Sequence, residues 1–151
     1  MTKLFSVWLF LAVTLAAEPK VVFALSTGKI AVLEKRLIAQ VPLLAEHYAE
    51  RGGKLKVAVV IYGDAYRFFV RDPRRSSYAH DRALLMARPR LGHALKKLHE
   101  RYGVRYDICG MGMKKRRITP GMLYSFVRPV FNKNAALIDW QNRGYAYVEI
   151  R

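Results

Sequence analysis

The segment LKVAVVIYG, residues 55–63, is apolar at almost every position. A strand buried on one face alternates apolar and polar side chains, whereas a parallel strand with helices on both faces is apolar throughout. The run therefore predicts a central parallel strand. Further strand-like runs lie at 20–25, 104–109, 127–131 and 145–150, with amphipathic stretches between them. This alternation predicts one α/β domain, a three-layer α/β/α sandwich around a mainly parallel sheet of about five strands.

Helices are indicated where apolar residues recur every three or four positions. From Ile30 to Tyr48 this spacing holds, and Pro42 within it predicts a kink or a restart. A short helix is expected at 64–70. Residues 71–90 contain two prolines and six arginines, which favours a loop. Further helices are predicted at 91–102, at 119–126 and at 132–143.

The first 17 residues, MTKLFSVWLFLAVTLAA, form a unit of their own. A positive Lys3, an apolar core and two final alanines are typical of a secretory signal peptide. We expect 1–17 to be this leader and 18–151 to be a single domain, with an uncleaved anchor or a first core strand as alternatives. A cleaved leader predicts an exported, periplasmic or extracytoplasmic protein, with membrane contact only if the leader is retained.

The chain carries 27 Lys and Arg against 11 Asp and Glu, a formal net charge of +16. Such a surplus favours anionic partners, either acidic lipid headgroups or an acidic protein. Because export argues against nucleic acid, we expect no nucleic-acid partner. A basic surface that serves only solubility is the alternative.

The only cysteine, Cys109, lies at the end of the strand predicted at 104–109. In parallel α/β sheets, reactive groups gather beyond the carboxyl ends of the strands. Nearby cations and backbone N–H groups lower the pKa of a thiol and make it a nucleophile. The candidates for that support are Gly110, Lys114, Lys115 and Arg116. A buried, inert cysteine beside a solvated charge run is the alternative.

Two further loops are expected at the same edge of the sheet. Ser26 and Thr27 follow the first strand, and Gly63 and Asp64 follow the second. These residues would line a crevice that could receive an anion. The order of residues in STGK does not match a phosphate loop, and the four histidines show no metal-ligand spacing. We therefore expect neither a cofactor nor a metal.

Several stretches resemble the DsrE/DsrF-like family of sulfur-metabolism proteins. They are VAVVIYGDAYRFFV, LKKLHERYGVRYDICG, CGMGMKKRRITPGML and ALIDWQNRGYAYVEI, in the family's order and spacing. The resemblance covers about residues 20–151, and its most specific part is Q-x-x-G-Y-A-Y from Gln141. It implies a flavodoxin-like, DsrE-like α/β/α fold and assembly into a homo-oligomer, commonly a trimer or hexamer.

The resemblance also implies a role for the cysteine. Family members hold sulfane sulfur as a persulfide on a cysteine that follows a strand, and Cys109 is the position here that matches. The first hypothesis is therefore an exported sulfur carrier or sulfurtransferase with a donor or acceptor protein as partner. The alternative is a non-catalytic oligomeric module whose basic surface binds an acidic partner or a membrane. A third hypothesis is a small-ligand or nucleotide binder that uses the strand-end crevice.

Overall fold

The computed structural model of the protein describes residues 18–151. Five strands form one sheet in the order β4-β3-β2-β1-β5, and each neighbouring pair is parallel. The strands are β1 (Lys20–Leu25), β2 (Lys56–Ile61), β3 (Arg105–Cys109), β4 (Val127–Val130) and β5 (Ala146–Ile150). Each lies within the range predicted for it. The α/β class and the parallel sheet are confirmed.

Burial explains why these strands occupy the centre. From Val57 to Ile61 every residue of β2 is buried, as are all five residues from Val21 to Leu25 in β1. On one face the odd-numbered residues of β1 and β2 join the larger hydrophobic core. On the other face Val22, Ala58 and Val60 pack against a smaller cluster. Helices cover both faces, which gives the predicted three layers.

The first helical segment changes geometry along its length. It consists of α1 (Ile30–Leu33), a π-helical turn (Glu34–Ile38) and α2 (Gln40–Ala49). The N–H of Ala39 donates to the carbonyl of Glu34, five residues earlier, over 2.9 Å. Proline at position 42 has no N–H to offer the preceding turn. The predicted interruption therefore takes the form of a π turn just before the proline.

The helix predicted at 91–102 begins nine residues earlier, so the loop prediction for 71–90 is wrong over its second half. The structure has a one-turn 3-10 helix (Pro73–Arg75) and then α3 (Arg82–Tyr102). The Asp81 side chain caps α3 by accepting from the N–H of Leu84 over 3.0 Å. Burial of Leu84, Ala87 and Leu91 extends the apolar face through Pro89. The stabilisation from burying this face therefore outweighs the cost of a proline inside the helix.

Two other local predictions need correction. The segment after Cys109, predicted as a loop, forms α4 (Gly110–Lys115), and the helix predicted at 119–126 is only a 3-10 turn (Pro120–Met122). The short helix predicted at 64–70 is a 3-10 helix (Ala65–Phe68), and the last predicted helix is α5 (Lys133–Asn142). α5 packs against β1, β2 and β3 and forms the layer opposite α2 and α3.

The predicted leader, residues 1–17, lies outside the residues that the structure describes. Among the helices of residues 18–151, none combines the length and the apolar character needed to cross a bilayer.

Candidate functional site

Three strands end together at one edge of the sheet. Leu25 of β1 pairs with Ile61 of β2, which in turn pairs with Ile108 of β3. Ser26 therefore follows β1, Tyr62 follows β2 and Cys109 ends β3 at the same level. As the parallel topology predicts, the polar loop residues meet at this carboxyl edge.

Cys109 lies at the junction of β3 and α4. It ends the strand and directly precedes the first residue of the helix, Gly110. Only 7% of its surface is exposed. The phenol of Tyr66 donates to the carbonyl oxygen of Cys109 over 2.6 Å. The cysteine is thus held in place by a buried aromatic residue from the loop that follows β2.

The surroundings of the thiol have opposing effects on its pKa. Burial raises the pKa of Cys109, but the nearby backbone N–H of Gly112, the phenol of Tyr66 and the backbone N–H groups of Lys133 and Met111 lower it below its ordinary value of 9.0. Met111 and Gly112 belong to the first turn of α4, and Lys133 is the first residue of α5. Two helix N-termini therefore converge on one sulfur, and each favours the thiolate.

Tyr66 remains a hydrogen-bond donor throughout this arrangement. Burial raises the pKa of its phenol well above the ordinary value, and the contact with Cys109 adds to the rise. The hydroxyl is therefore protonated at neutral pH. The phenol donates its one proton to the carbonyl oxygen of Cys109 and lies beside the sulfur, where it favours the thiolate.

Close packing explains the glycines of CGMG. A Cβ atom at Gly110 would lie 2.7 Å from the carbonyl oxygen of Val130, and one at Gly112 would lie 2.0 Å from the phenol oxygen of Tyr66. The first contact brings β4 against the start of α4. The second allows Tyr66 to reach the cysteine. These residues are therefore glycine because the site leaves no room for a side chain.

The predicted cations lie in different places. Lys114 and Lys115 are exposed in the last turn of α4, the end away from the thiol. Arg116 turns inward: its guanidinium donates to the carbonyl of Gly63 over 2.6 Å and lies 4.5 Å from the centre of the Tyr66 ring. Backbone N–H groups and a phenol, rather than lysines, surround the sulfur. Arg116 instead joins α4 to the crevice.

The crevice is a cavity of about 710 Å³ beside this site. It is lined by Ser26, Thr27, Gly28, Lys29, Asp64, Arg67, Tyr78, Asp81, Arg116 and Arg151. The structure therefore brings Ser26, Thr27 and Asp64 together, and Gly63 contributes the carbonyl that orients Arg116. Cys109 does not line the cavity. Tyr66 and Arg116 lie between the two.

Three residues at this edge escaped the sequence analysis: Tyr66, Arg67 and Tyr78. Arg67 donates to the carbonyl of Gly28 over 3.0 Å and pairs with Asp81. Only tertiary contacts give these residues their roles, since neither a motif nor a periodicity singles them out. The DAYRFFV stretch was predicted only as a short helix at 64–70, and its contact with Cys109 spans 43 residues.

Within residues 18–151, no group of three or more His, Cys, Asp or Glu side chains is arranged to hold a metal ion. The only cysteine in this part of the chain is a free thiol.

Comparison with known families completes the description of the site. The model of the DsrE/DsrF-like family matches residues 20–150. The chain belongs to the DsrE/DsrF-like family. The match runs from the start of β1 to the end of β5 and includes Cys109 and every residue of the cavity lining except Arg151. The family resemblance read from the sequence is thereby confirmed.

This DsrE/DsrF-like chain is similar to one curated protein in sequence and to one solved protein in fold. An uncharacterised protein of Aquifex aeolicus (strain VF5) is 27% identical over 147 residues, 97% of this chain. The chain spans 63% of that curated relative's length. A solved protein of unknown function from Methanobacterium thermoautotrophicum has a TM-score of 0.55 at 20% identity, covering 87% of this chain and 99% of its own. That likeness supports the α/β fold.

Proposed function

We propose that the protein is an exported sulfur-handling protein that binds sulfane sulfur as a persulfide on Cys109 and transfers it to an acceptor thiol. One observation carries the proposal: the thiol lies at the carboxyl edge of the sheet, where backbone N–H groups at two helix N-termini and the phenol of Tyr66 lower its pKa. A thiolate is the nucleophile in sulfur transfer, and these donors favour it. The family's general association with sulfur relay points to the same chemistry.

The reaction proceeds in two displacements. First, the Cys109 thiolate attacks the sulfane sulfur of a donor, and a new S–S bond forms. The bond between that sulfur and the rest of the donor breaks, and the rest of the donor leaves with the electron pair. Next, an acceptor thiolate attacks the outer sulfur, and Cys109 leaves as a thiolate. The same N–H groups serve both steps because they stabilise Cys109 as nucleophile and as leaving group.

Access limits the donor to small molecules. Cys109 is largely covered, but Gly110 is only half-buried and Met111 projects into solvent. Local opening at the start of α4 would give a small donor access to the sulfur. A bulky protein donor would require larger movement of α4.

Intact-mass spectrometry after incubation with polysulfide or thiosulfate tests the proposal. We expect an adduct of one sulfur atom that dithiothreitol removes and that Cys109→Ser abolishes. Circular dichroism of the variant controls for folding. Absence of a sulfur adduct on folded wild-type protein with either donor would overturn the persulfide role.

A second candidate function is a non-catalytic module that binds an acidic partner through its basic surface. Lys114, Lys115 and Arg117 are exposed, and none of them forms an ion pair within residues 18–151. Arg117 also adopts a left-handed backbone conformation with φ of 53°, which glycine would adopt with less strain. This candidate predicts partner binding that weakens steeply with salt and is indifferent to Cys109→Ser.

A further inference from the structure

One wall of the cavity at the carboxyl edge is formed by two closely packed loops. A Cβ at Gly28 would lie 2.9 Å from the Cβ of Asp64, and one at Gly63 would lie 3.1 Å from the Cβ of Ser26. The loops after β1 and β2 therefore pack directly on one another. Gly63 also has a positive φ of 60°, a conformation that favours glycine. This wall is preformed and does not depend on a ligand.

Some of the charged residues that line the cavity are paired with an opposite charge, and others are not. Lys29, Arg67, Arg116 and Arg151 supply positive charge, and Asp64 and Asp81 supply negative charge. Asp81 is neutralised by Arg67 and also caps α3. Arg151 pairs with Glu149 over 2.7 Å. Within residues 18–151, Lys29 and Arg116 have no carboxylate partner within ion-pair distance and Asp64 has no cationic one, which leaves the cavity a surplus of positive charge.

The guanidinium of Arg116 is fixed in position. It donates to the carbonyl of Gly63 and lies against the ring of Tyr66. It also lies near Tyr78, where burial raises the pKa of the phenol and Arg116 opposes that rise. Such a guanidinium loses little freedom on binding, and its planar donors match the oxygens of phosphate-type and sulfur-type oxyanions. Lys29 is exposed at the rim and supplies a mobile second cation.

We propose that this cavity binds a small molecule through a multivalent oxyanion group, with Arg116 as its fixed anchor and Lys29 as its mobile one. The volume exceeds what a bare oxyanion fills, so the remainder of the ligand occupies the space beside Ser26, Thr27 and Tyr78. The site is separate from Cys109, which does not line it. Arg116 connects the two because its own helix, α4, begins at the residue after Cys109.

Isothermal titration calorimetry at low ionic strength tests this site with two probes, inorganic pyrophosphate and thiosulfate. We expect one saturable site per chain for at least one probe. Arg116→Gln should weaken binding about tenfold, since a charge-assisted contact is lost, and Lys29→Gln should weaken it to a smaller extent. Arg74→Gln removes the same charge from an exposed arginine outside the cavity and should leave binding unchanged.

The outcomes distinguish a phosphate-bearing ligand from a sulfur oxyanion. They also separate binding in the cavity from the persulfide role of Cys109. Preference for pyrophosphate indicates a phosphate-bearing ligand, and preference for thiosulfate indicates a sulfur oxyanion; either supports the proposal. Lys29→Gln lies on the exposed rim and keeps the test valid if Arg116→Gln fails to fold. Cys109→Ser should bind as wild type does, so failure of the persulfide role leaves this result intact. Absence of saturable binding, or equal loss in Arg74→Gln, would overturn the proposal.

Discussion

At the scale of single residues, the reactivity of Cys109 depends on what surrounds its sulfur. Burial alone would keep the thiol protonated, and the net lowering of its pKa comes from three backbone N–H groups and one phenol. The lysines of KKRR extend into solvent instead. The thiol is therefore tuned by the geometry of α4 and α5, and salt should have little effect on its ionisation.

Tyr66→Phe isolates the one side-chain group that lowers the pKa of Cys109. Because the ring is retained, packing is conserved while the hydroxyl is lost, so the pKa of Cys109 should rise. At neutral pH, alkylation by iodoacetamide should slow roughly tenfold, as expected for loss of a hydrogen bond to a charged group. Tyr48→Phe removes a hydroxyl from α2, far from the site, and should leave the rate unchanged. An unaltered rate in Tyr66→Phe would show that the phenol does not act on the sulfur.

At the scale of elements, a buried carboxylate joins the strand that carries the cysteine to a neighbouring strand and to a helix. Asp107 of β3 accepts from the guanidinium of Arg128 on β4 over 2.9 Å and 3.1 Å. It also accepts from the indole N–H of Trp140 on α5 over 2.8 Å. This arrangement fixes α5, whose first residue contributes an N–H to Cys109. Asp107 therefore contributes to the stability of the fold and also positions the helix whose N-terminus lies beside Cys109.

Asp107→Ala should lower the free energy of unfolding by about 2–4 kcal/mol, because it leaves the buried indole N–H of Trp140 without an acceptor and frees Arg128. Urea denaturation followed by circular dichroism measures the change. Asp139→Ala removes an exposed carboxylate from the same helix and should alter stability by less than about 0.5 kcal/mol. Equal stability of the two variants would contradict the structural role given to Asp107.

At the scale of the whole molecule, the two edges of the sheet differ. β4 contains Pro129, which disfavours pairing with a further strand because proline has no N–H to donate. β5 has no proline and exposes 45% of Tyr147 and 39% of Val148. An unprotected edge with apolar residues is suited to contact with another chain. We propose that the chain assembles into a homo-oligomer and that the β5 side of the molecule forms the contact.

Val148→Lys tests that assembly, since a charge at the contact should convert the oligomer to monomer. Multi-angle light scattering after size exclusion gives the mass directly. Met86→Lys introduces the same charge at a residue of α3 that is 79% exposed and should not change the mass. A wild-type protein that is monomeric at every concentration would refute the proposed assembly.

Much of the fold could be predicted from the sequence because parallel strands carry a local signal. The apolar run of β2 and the strand–helix alternation identify the sheet without knowledge of any long-range contact. The start of α3 was missed because prolines and arginines suggested a loop, whereas the cap at Asp81 and the burial of Leu84 depend on packing. α4 was missed because two glycines argue against a helix, and their reason lies in contacts with Val130 and Tyr66.

The candidate site was predictable only in outline. Topology placed Cys109, Ser26, Thr27 and Asp64 at one edge, which the structure confirms. The donors to the sulfur come from residues far away in the chain, and the inward turn of Arg116 is set by the carbonyl of Gly63. No sequence pattern encodes these relations, so the cavity and its separation from the thiol emerge from the structure alone.

The pH dependence of Cys109 alkylation in the native protein tests the central claim most directly. A thiol whose folded pKa is lowered reacts as a thiolate below pH 9.0, its ordinary value, and loses that reactivity as the pH falls through the folded pKa. We therefore expect an alkylation profile with its midpoint below that of the urea-unfolded protein. Full protection of the native thiol at every pH, or a midpoint at or above that of the unfolded chain, would contradict a sulfur-carrying Cys109.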